Sequence, residues 1–143
     1  QQPIPDALVE IWQANAEGHY NHPSEEGSGL IDPTFTGFGR SGTDEDGSYW
    51  FETIKPGPVN FDGTRLQAPH ISLTILARGL LNHLMTRLYF ESEPTNATDP
   101  ILQRVPVERQ QTLLARREQG EEHATYRFDI ILQGEGETAF FNW

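Results

Sequence analysis

His70-Ile-Ser-Leu-Thr-Ile-Leu-Ala-Arg78 alternates along its whole length, with Ile71, Leu73, Ile75 and Ala77 on one side and His70, Ser72, Thr74, Leu76 and Arg78 on the other. Successive side chains of an extended chain point to opposite faces, so this pattern predicts a strand with one face on a core and the other on a mixed polar surface. The same reasoning extends to Ala7–Trp12, where Val9 and Ile11 share a side after the breakers Pro3 and Pro5. Tyr49–Ile54, Thr86–Glu91, Thr125–Leu132 and Thr138–Trp143 complete the predicted strands. Asp44-Glu-Asp-Gly47 and Gly134-Glu-Gly-Glu137 have turn chemistry, the latter predicting a hairpin turn and not a carboxylate pair. Asn15 to Gly47 reads as a long loop region anchored by Phe35 and Phe38. A helix is predicted over Val107–Glu118, opened by Pro106, closed by Gly120 and carrying Leu113, Leu114 and Ala115. The expectation is an all-β fold, a β-sandwich of mixed short strands with one late α-helix and long loops.

A chain of 143 residues is one domain's worth, and residues 1–143 are read as a single domain. With 13 Gly and 10 Pro, many short elements are favoured over long helices. The net charge of −11 disfavours nucleic acid and anionic membrane surfaces as partners. The lack of cysteine removes disulfides, thiolate nucleophiles and cysteine-held metals, leaving His, Tyr, Asp and Glu as candidate ligands. No apolar run approaches the length of about 18 residues that a spanning helix needs. A cytoplasmic protein is expected. The chain opens at Gln1 and runs almost at once into its first strand, which suggests that an N-terminal segment is missing or was removed.

Few side chains offer chemistry. His19 and His22 flank Tyr20 in a loop-forming context, so solvated or orienting roles are expected for them instead of a preset metal pair. His70 begins the clearest strand, and a second histidine at position 72 would put two imidazoles on one face. Ser72 stands there instead, and a hydroxyl is a poor ligand for ferric or zinc ions. His70 is therefore expected to be a hydrogen-bonded histidine inside the sandwich, and Tyr20 a satisfied phenol. Arg78 would lie roughly 26 Å from His70 along an unbroken strand, at the 3.3 Å rise per residue of an extended chain. It is either a strand-end cation facing solvent or a group that meets an anion. No nucleophile elbow, phosphate loop or dinucleotide fingerprint occurs.

Ordered motifs then carry a resemblance: Glu10-Ile-Trp-Gln-Ala-Asn15, Gly18-x-Tyr20, Asp32-Pro33, Gly37-Phe-Gly-Arg40, Thr43-Asp-x-Asp-Gly47, Thr53-Ile-Lys-Pro-Gly57, Ala68-Pro-His-Ile71, Thr86-Arg-Leu-Tyr-Phe90 and Tyr126-Arg-Phe-Asp-Ile130. In this order they resemble the intradiol ring-cleavage dioxygenases over nearly the whole chain. In two-chain members of that family, a catalytic beta chain binds Fe(III) through two tyrosines and two histidines, and an iron-free alpha chain completes the pocket. Leu132-Gln-Gly-Glu-Gly-Glu-Thr138 and Ala77-Arg-Gly79 resemble the alpha type. The resemblance places the four ligand positions at Tyr20, Val59, His70 and Ser72, and an arginine of the catalytic chain at Gln67. Two of four ligands are thus replaced, and no metal or catalytic residue is expected in this chain.

The resemblance further implies a hetero-oligomer of alpha and beta chains. It implies Fe(III) in the partner beta chain, and a small aromatic substrate, 3,4-dihydroxybenzoate, opened by O2 to 3-carboxy-cis,cis-muconate. Arg78 would be lent to the substrate's carboxylate in that shared site. The resemblance also implies an N-terminal arm and an early strand ahead of the position of Gln1, so the expectation is either that the sequence is a fragment or that a sheet edge needs cover. Two other readings stand beside this one: a self-sufficient intradiol enzyme recruiting His19 or His22, and a non-enzymatic β-sandwich binding module.

Overall fold

The computed structural model describes residues 2–22, 34–120 and 122–142. The motif Asp32-Pro33 and part of the long loop region lie outside the described residues. Strand β1 (Leu8–Gln13) pairs antiparallel with β2 (Phe38–Gly42) on one side and β5 (His70–Leu76) on the other. β5 pairs antiparallel with β6 (Leu84–Phe90), which runs parallel to β7 (Leu114–Arg117), and β8 (Tyr126–Arg127) closes the order β2-β1-β5-β6-β7-β8. A two-stranded ribbon, β3 (Val59–Asn60) with β4 (Leu66–Gln67), stands apart from this sheet. The fold is all-β and sandwich-like, as the alternation in the sequence predicts.

The period of two determines the two faces of the main sheet. Val9, Ile11, Ile71, Leu73, Ile75 and Phe90 are buried together with Ala115 and Phe128. Over them pack Tyr49, Phe51, Tyr126, Ile130, Leu132 and Phe140, which supply the opposing layer of the sandwich. Removing this much apolar area from water is the main favourable contribution to folding. A second cluster of Ala68, Tyr89, Leu102, Val105, Leu113 and Ala139 lies beneath the turns that follow β6.

Several predicted elements are shorter than expected. The helix predicted over Val107–Glu118 is a single α-helical turn, α1 (Val107–Gln110), followed by a 3-10 turn at Gln111–Leu113 and then by β7. Leu114 packs against the second cluster while Ala115 is buried in the main core. Successive residues facing opposite sides is the alternation of a strand, and pairing of Tyr89 with Leu114 and Phe90 with Ala115 outweighs the weak tendency of so short a segment to stay helical.

Within Thr125–Leu132 only Tyr126 and Arg127 join a ladder; of the predicted strand Thr138–Trp143, Trp143 lies outside the described residues and the described part contributes one bridge, Met85 with Phe141. Tyr49–Ile54 forms no ladder either. It is held by side chains: the Gln13 amide donates to the Ile54 carbonyl at 2.8 Å, the Thr53 hydroxyl donates to Gln13 Oε1 at 2.8 Å, and the Tyr49 hydroxyl donates to the Phe128 carbonyl at 2.7 Å. Conversely β2 lies inside the segment expected to be loop, because Phe38-Gly-Arg-Ser-Gly42 lacks apolar alternation and is recruited by β1. The turn at Gly134–Glu137 forms as expected, with the Glu137 N–H donating to Gly134 and the Thr138 N–H to Ile131. Among the described residues, no helix is long and apolar enough to cross a membrane.

Candidate functional site

On the sheet face opposite the main core, cross-strand register sets out a small array. Ser72 of β5 lies between Trp12 of β1 and Arg87 of β6, and His70 lies opposite Tyr89. Directly opposed side chains on one sheet face are about 5 Å apart at Cβ, so these residues are immediate neighbours. Tyr20 arrives from the loop that follows β1. Asn15 shapes that loop, its Oδ1 accepting from the N–H groups of Glu17 and His19, both at 3.0 Å. Gly18 has φ +85°, and a Cβ there would meet the Pro58 carbonyl oxygen at 2.0 Å. Only glycine permits this close approach, which brings Tyr20 over the sheet. Its ring stacks on Trp12 at 5.5 Å between centroids.

Tyr20 and His70 meet, with the hydroxyl 3.3 Å from Nε2. The other ring nitrogen, Nδ1, is 2.8 Å from the Ala68 carbonyl oxygen, which can only accept, so Nδ1 carries the proton and Nε2 accepts from Tyr20. His70 is 1 % exposed. Burial lowers its pKa to about 4, helped by the positive charge of Arg87 and opposed by the Ala68 hydrogen bond and the Asp99 charge. Burial also raises the pKa of the Tyr20 phenol, against the pull of Arg87. The pair is therefore neutral at ordinary pH.

Arg87 organises the remainder. Its Nη1 donates to the Gln67 side-chain oxygen at 2.8 Å and lies 3.4 Å from the Tyr89 hydroxyl. Tyr89 in turn donates to Asp99 at 3.0 Å. Asp99 is fully buried and also accepts from the backbone N–H groups of Ala68, Ile101 and Leu102 at 2.7–2.9 Å. The buried Val59 pairs with Gln67 across the small ribbon. Tyr20, Val59, Gln67, His70 and Ser72 thus belong to one neighbourhood, joined through Arg87.

Arg78 is elsewhere. β5 ends at Leu76, so Arg78 sits beyond it, near the end opposite His70 and roughly 20 Å away at the usual strand rise. The expectation of one unbroken strand through Arg78 is corrected: a turn follows, closed by the Leu80 N–H on the Ala77 carbonyl at 3.2 Å with Gly79 at φ +88°. The Arg78 side chain is 88 % exposed and lies 3.8 Å from Asp6, itself 69 % exposed, a pairing that contributes little in water. His19 and His22 remain on the Tyr20 loop. Among the described residues no three His, Asp or Glu side chains converge as a metal site.

Arg87, Asp99 and Trp12 were not singled out in the sequence. Arg87 shares its strand face with Tyr89, a relation visible in Thr86-Arg-Leu-Tyr-Phe90, but its opposition to Ser72 depends on register. Asp99 sits in a turn-rich stretch where nothing local marks it as buried.

The all-β scaffold brings a tyrosine and a histidine together at one sheet face, and comparison with known proteins gives the class. A family model described as "Dioxygenase" matches residues 1–134. The chain belongs to this family, the intradiol ring-cleavage dioxygenases. Among individual proteins it is similar to the protocatechuate 3,4-dioxygenase alpha chain of Pseudomonas putida, with 41 % identity over 98 % of this chain and 69 % of the relative. It is 38 % identical to the protocatechuate 3,4-dioxygenase beta chain of Burkholderia cepacia, over 96 % of this chain and 61 % of the relative. A hydroxyquinol 1,2-dioxygenase of a Rhizobium strain is 31 % identical over 69 % of this chain and 36 % of its own length.

Proposed function

We propose that this chain is the iron-free alpha-type subunit of a protocatechuate 3,4-dioxygenase, completing a site whose ferric ion is held by a beta-type partner. The observation that carries the reading is the donor set. Of the four ligand positions that the family resemblance assigns, Val59 offers no donor and Ser72 only a hydroxyl. Tyr20 and His70 are hydrogen-bonded to one another, with the second imidazole nitrogen committed to Ala68. These residues do not fit a resident ferric ion, which needs deprotonated phenolates and several strong ligands.

In the assembled enzyme, iron supplies activation of the bound catecholate toward O2, and that chemistry belongs to the partner. The contribution of this chain is to bind and orient. Arg78, extended from its turn and paired only with an exposed carboxylate 3.8 Å away, can exchange Asp6 for the carboxylate of a ring bound in the partner. The organisation is then a hetero-oligomer in which neither chain is sufficient.

Iron content tests this. The chain expressed alone should retain less than a tenth of an equivalent of iron and consume no O2 with protocatechuate, while the complex with its beta-type partner should hold one iron per pair. Stoichiometric iron with turnover in the isolated chain would overturn the reading. A second measurement addresses Arg78: in the complex, Arg78→Ala should weaken protocatechuate by about 1.5–3 kcal/mol, the contribution of a charge-assisted hydrogen bond, and leave unsubstituted catechol unaffected. Equal losses for the two ligands would exclude a carboxylate contact.

A further inference from the structure

The turns after β6 and the C-terminal segment meet around a small open cavity of about 170 Å3, whose lining includes Ile101, Arg104, Val105, Arg109, Ala139 and Phe141. Ile101, Val105 and Ala139 are buried and give it an apolar floor. Its walls are held from behind. The Ala139 N–H donates to the Thr112 hydroxyl at 3.0 Å, the Ala139 carbonyl accepts from Thr86 at 2.7 Å, and the Phe141 N–H donates to the Met85 carbonyl at 2.8 Å. Arg109 is anchored too, its Nη2 donating to the Glu137 and Thr138 carbonyls, both at 3.2 Å. A cavity fixed in this way loses little freedom when it is filled.

Charge sets this cavity apart. Among the described residues Arg40, Lys55, Arg65, Arg78 and Arg127 each pair with a carboxylate. Arg104 and Arg109 pair with none, in a chain of 21 acidic and 10 basic residues with Glu108 and Glu137 close by in sequence. Two guanidinium groups beside an apolar floor complement an anion with an apolar body, and a guanidinium can donate two parallel N–H bonds to one carboxylate. The volume is below the ~300 Å3 at which pockets for drug-sized ligands begin, which limits that body to about one ring. We propose that this cavity binds a free carboxylic acid of one-ring size, its carboxylate met by Arg104 and Arg109 and its ring seated on Ile101, Val105 and Ala139. The site goes beyond the role proposed above and does not depend on the iron-free reading.

The test titrates benzoate into the full chain labelled at its isoleucine and valine methyl groups and follows the signals of Ile101 and Val105 by NMR, so that benzoate held elsewhere is not counted. Both should shift saturably with a Kd of about 1 mM or below, while Ile75 in the main core stays unmoved. Benzamide keeps the ring and lacks the charge; acetate keeps the charge and lacks the ring. Each should bind at least tenfold more weakly than benzoate. Arg104 is exposed and its side chain takes part in no hydrogen bond among the described residues, so Arg104→Gln should fold normally and weaken benzoate at least fivefold. No saturable shift at Ile101 and Val105, equal affinity for benzoate and benzamide, or an unchanged Kd in Arg104→Gln would overturn the proposal. Acetate binding as tightly as benzoate would overturn it as well, since the cavity would then select charge alone.

Discussion

Asp99→Ala should destabilise the chain by roughly 3–5 kcal/mol, the usual cost of deleting one side of a buried charged network. The fully buried carboxylate accepts from Ala68, Ile101 and Leu102 backbone N–H groups and from the Tyr89 hydroxyl. Truncation leaves these donors buried without their acceptor, and each unsatisfied group carries its own desolvation cost. For a chain of this size the midpoint of thermal unfolding should fall by roughly 10–20 °C. Denaturant melts of the two proteins would measure the difference. A loss under about 1 kcal/mol would show that water or a rearranged turn replaces the carboxylate. Because Asp99 anchors both the residue two before His70 and the hydroxyl beside Arg87, the same substitution should also loosen the Tyr20–His70 contact.

The second large effect is a loss of stability in acid. His70 has its pKa lowered from 6.5 to about 4 in the folded chain, chiefly by burial. Between those values the unfolded chain takes up a proton that the folded chain refuses, so stability falls as pH drops below about 6.5. By pH 4 the loss from this one residue approaches about 3 kcal/mol. Denaturant melts at pH 7.5, 5.5 and 4 should therefore give a steeper decline for the unaltered chain than for His70→Gln, which cannot titrate. Parallel declines would mean that His70 is solvated in the folded protein.

The parts of this fold that could be read in advance are those where local pattern and tertiary contact agree. β1, β5 and β6 alternate because their inner faces meet one core, and the alternation of Tyr126, Phe128, Ile130 and Leu132 likewise marks residues that pack on that core, although only Tyr126 and Arg127 acquire a ladder. At Leu113-Leu-Ala115 three successive small or apolar residues suit either period, and only the position of β6 selects the strand. β2 has no pattern of its own and exists because β1 offers it an edge.

The candidate site divides in the same way. Tyr20 and His70 lie within ordered motifs, and Val59 and Ser72 could be named because they follow just beyond two of them. What joins them could not. The pairing of Ser72 with Arg87 is a matter of register, and the relay from Arg87 through Tyr89 to Asp99 links side chains brought together by the turns after β6. Arg78 was correctly separated from His70, but through a strand assumed to continue two residues beyond its end.

β5 hands alternate residues to two independent tasks. Ile71, Leu73 and Ile75 hold the sheet to its opposing layer, while His70 and Ser72 between them face the site. The two sets point to opposite sides of the sheet, so exchanging the hydroxyl of Ser72 takes no side chain out of the main core, and the site face can vary in its chemistry while the layer beneath keeps its packing.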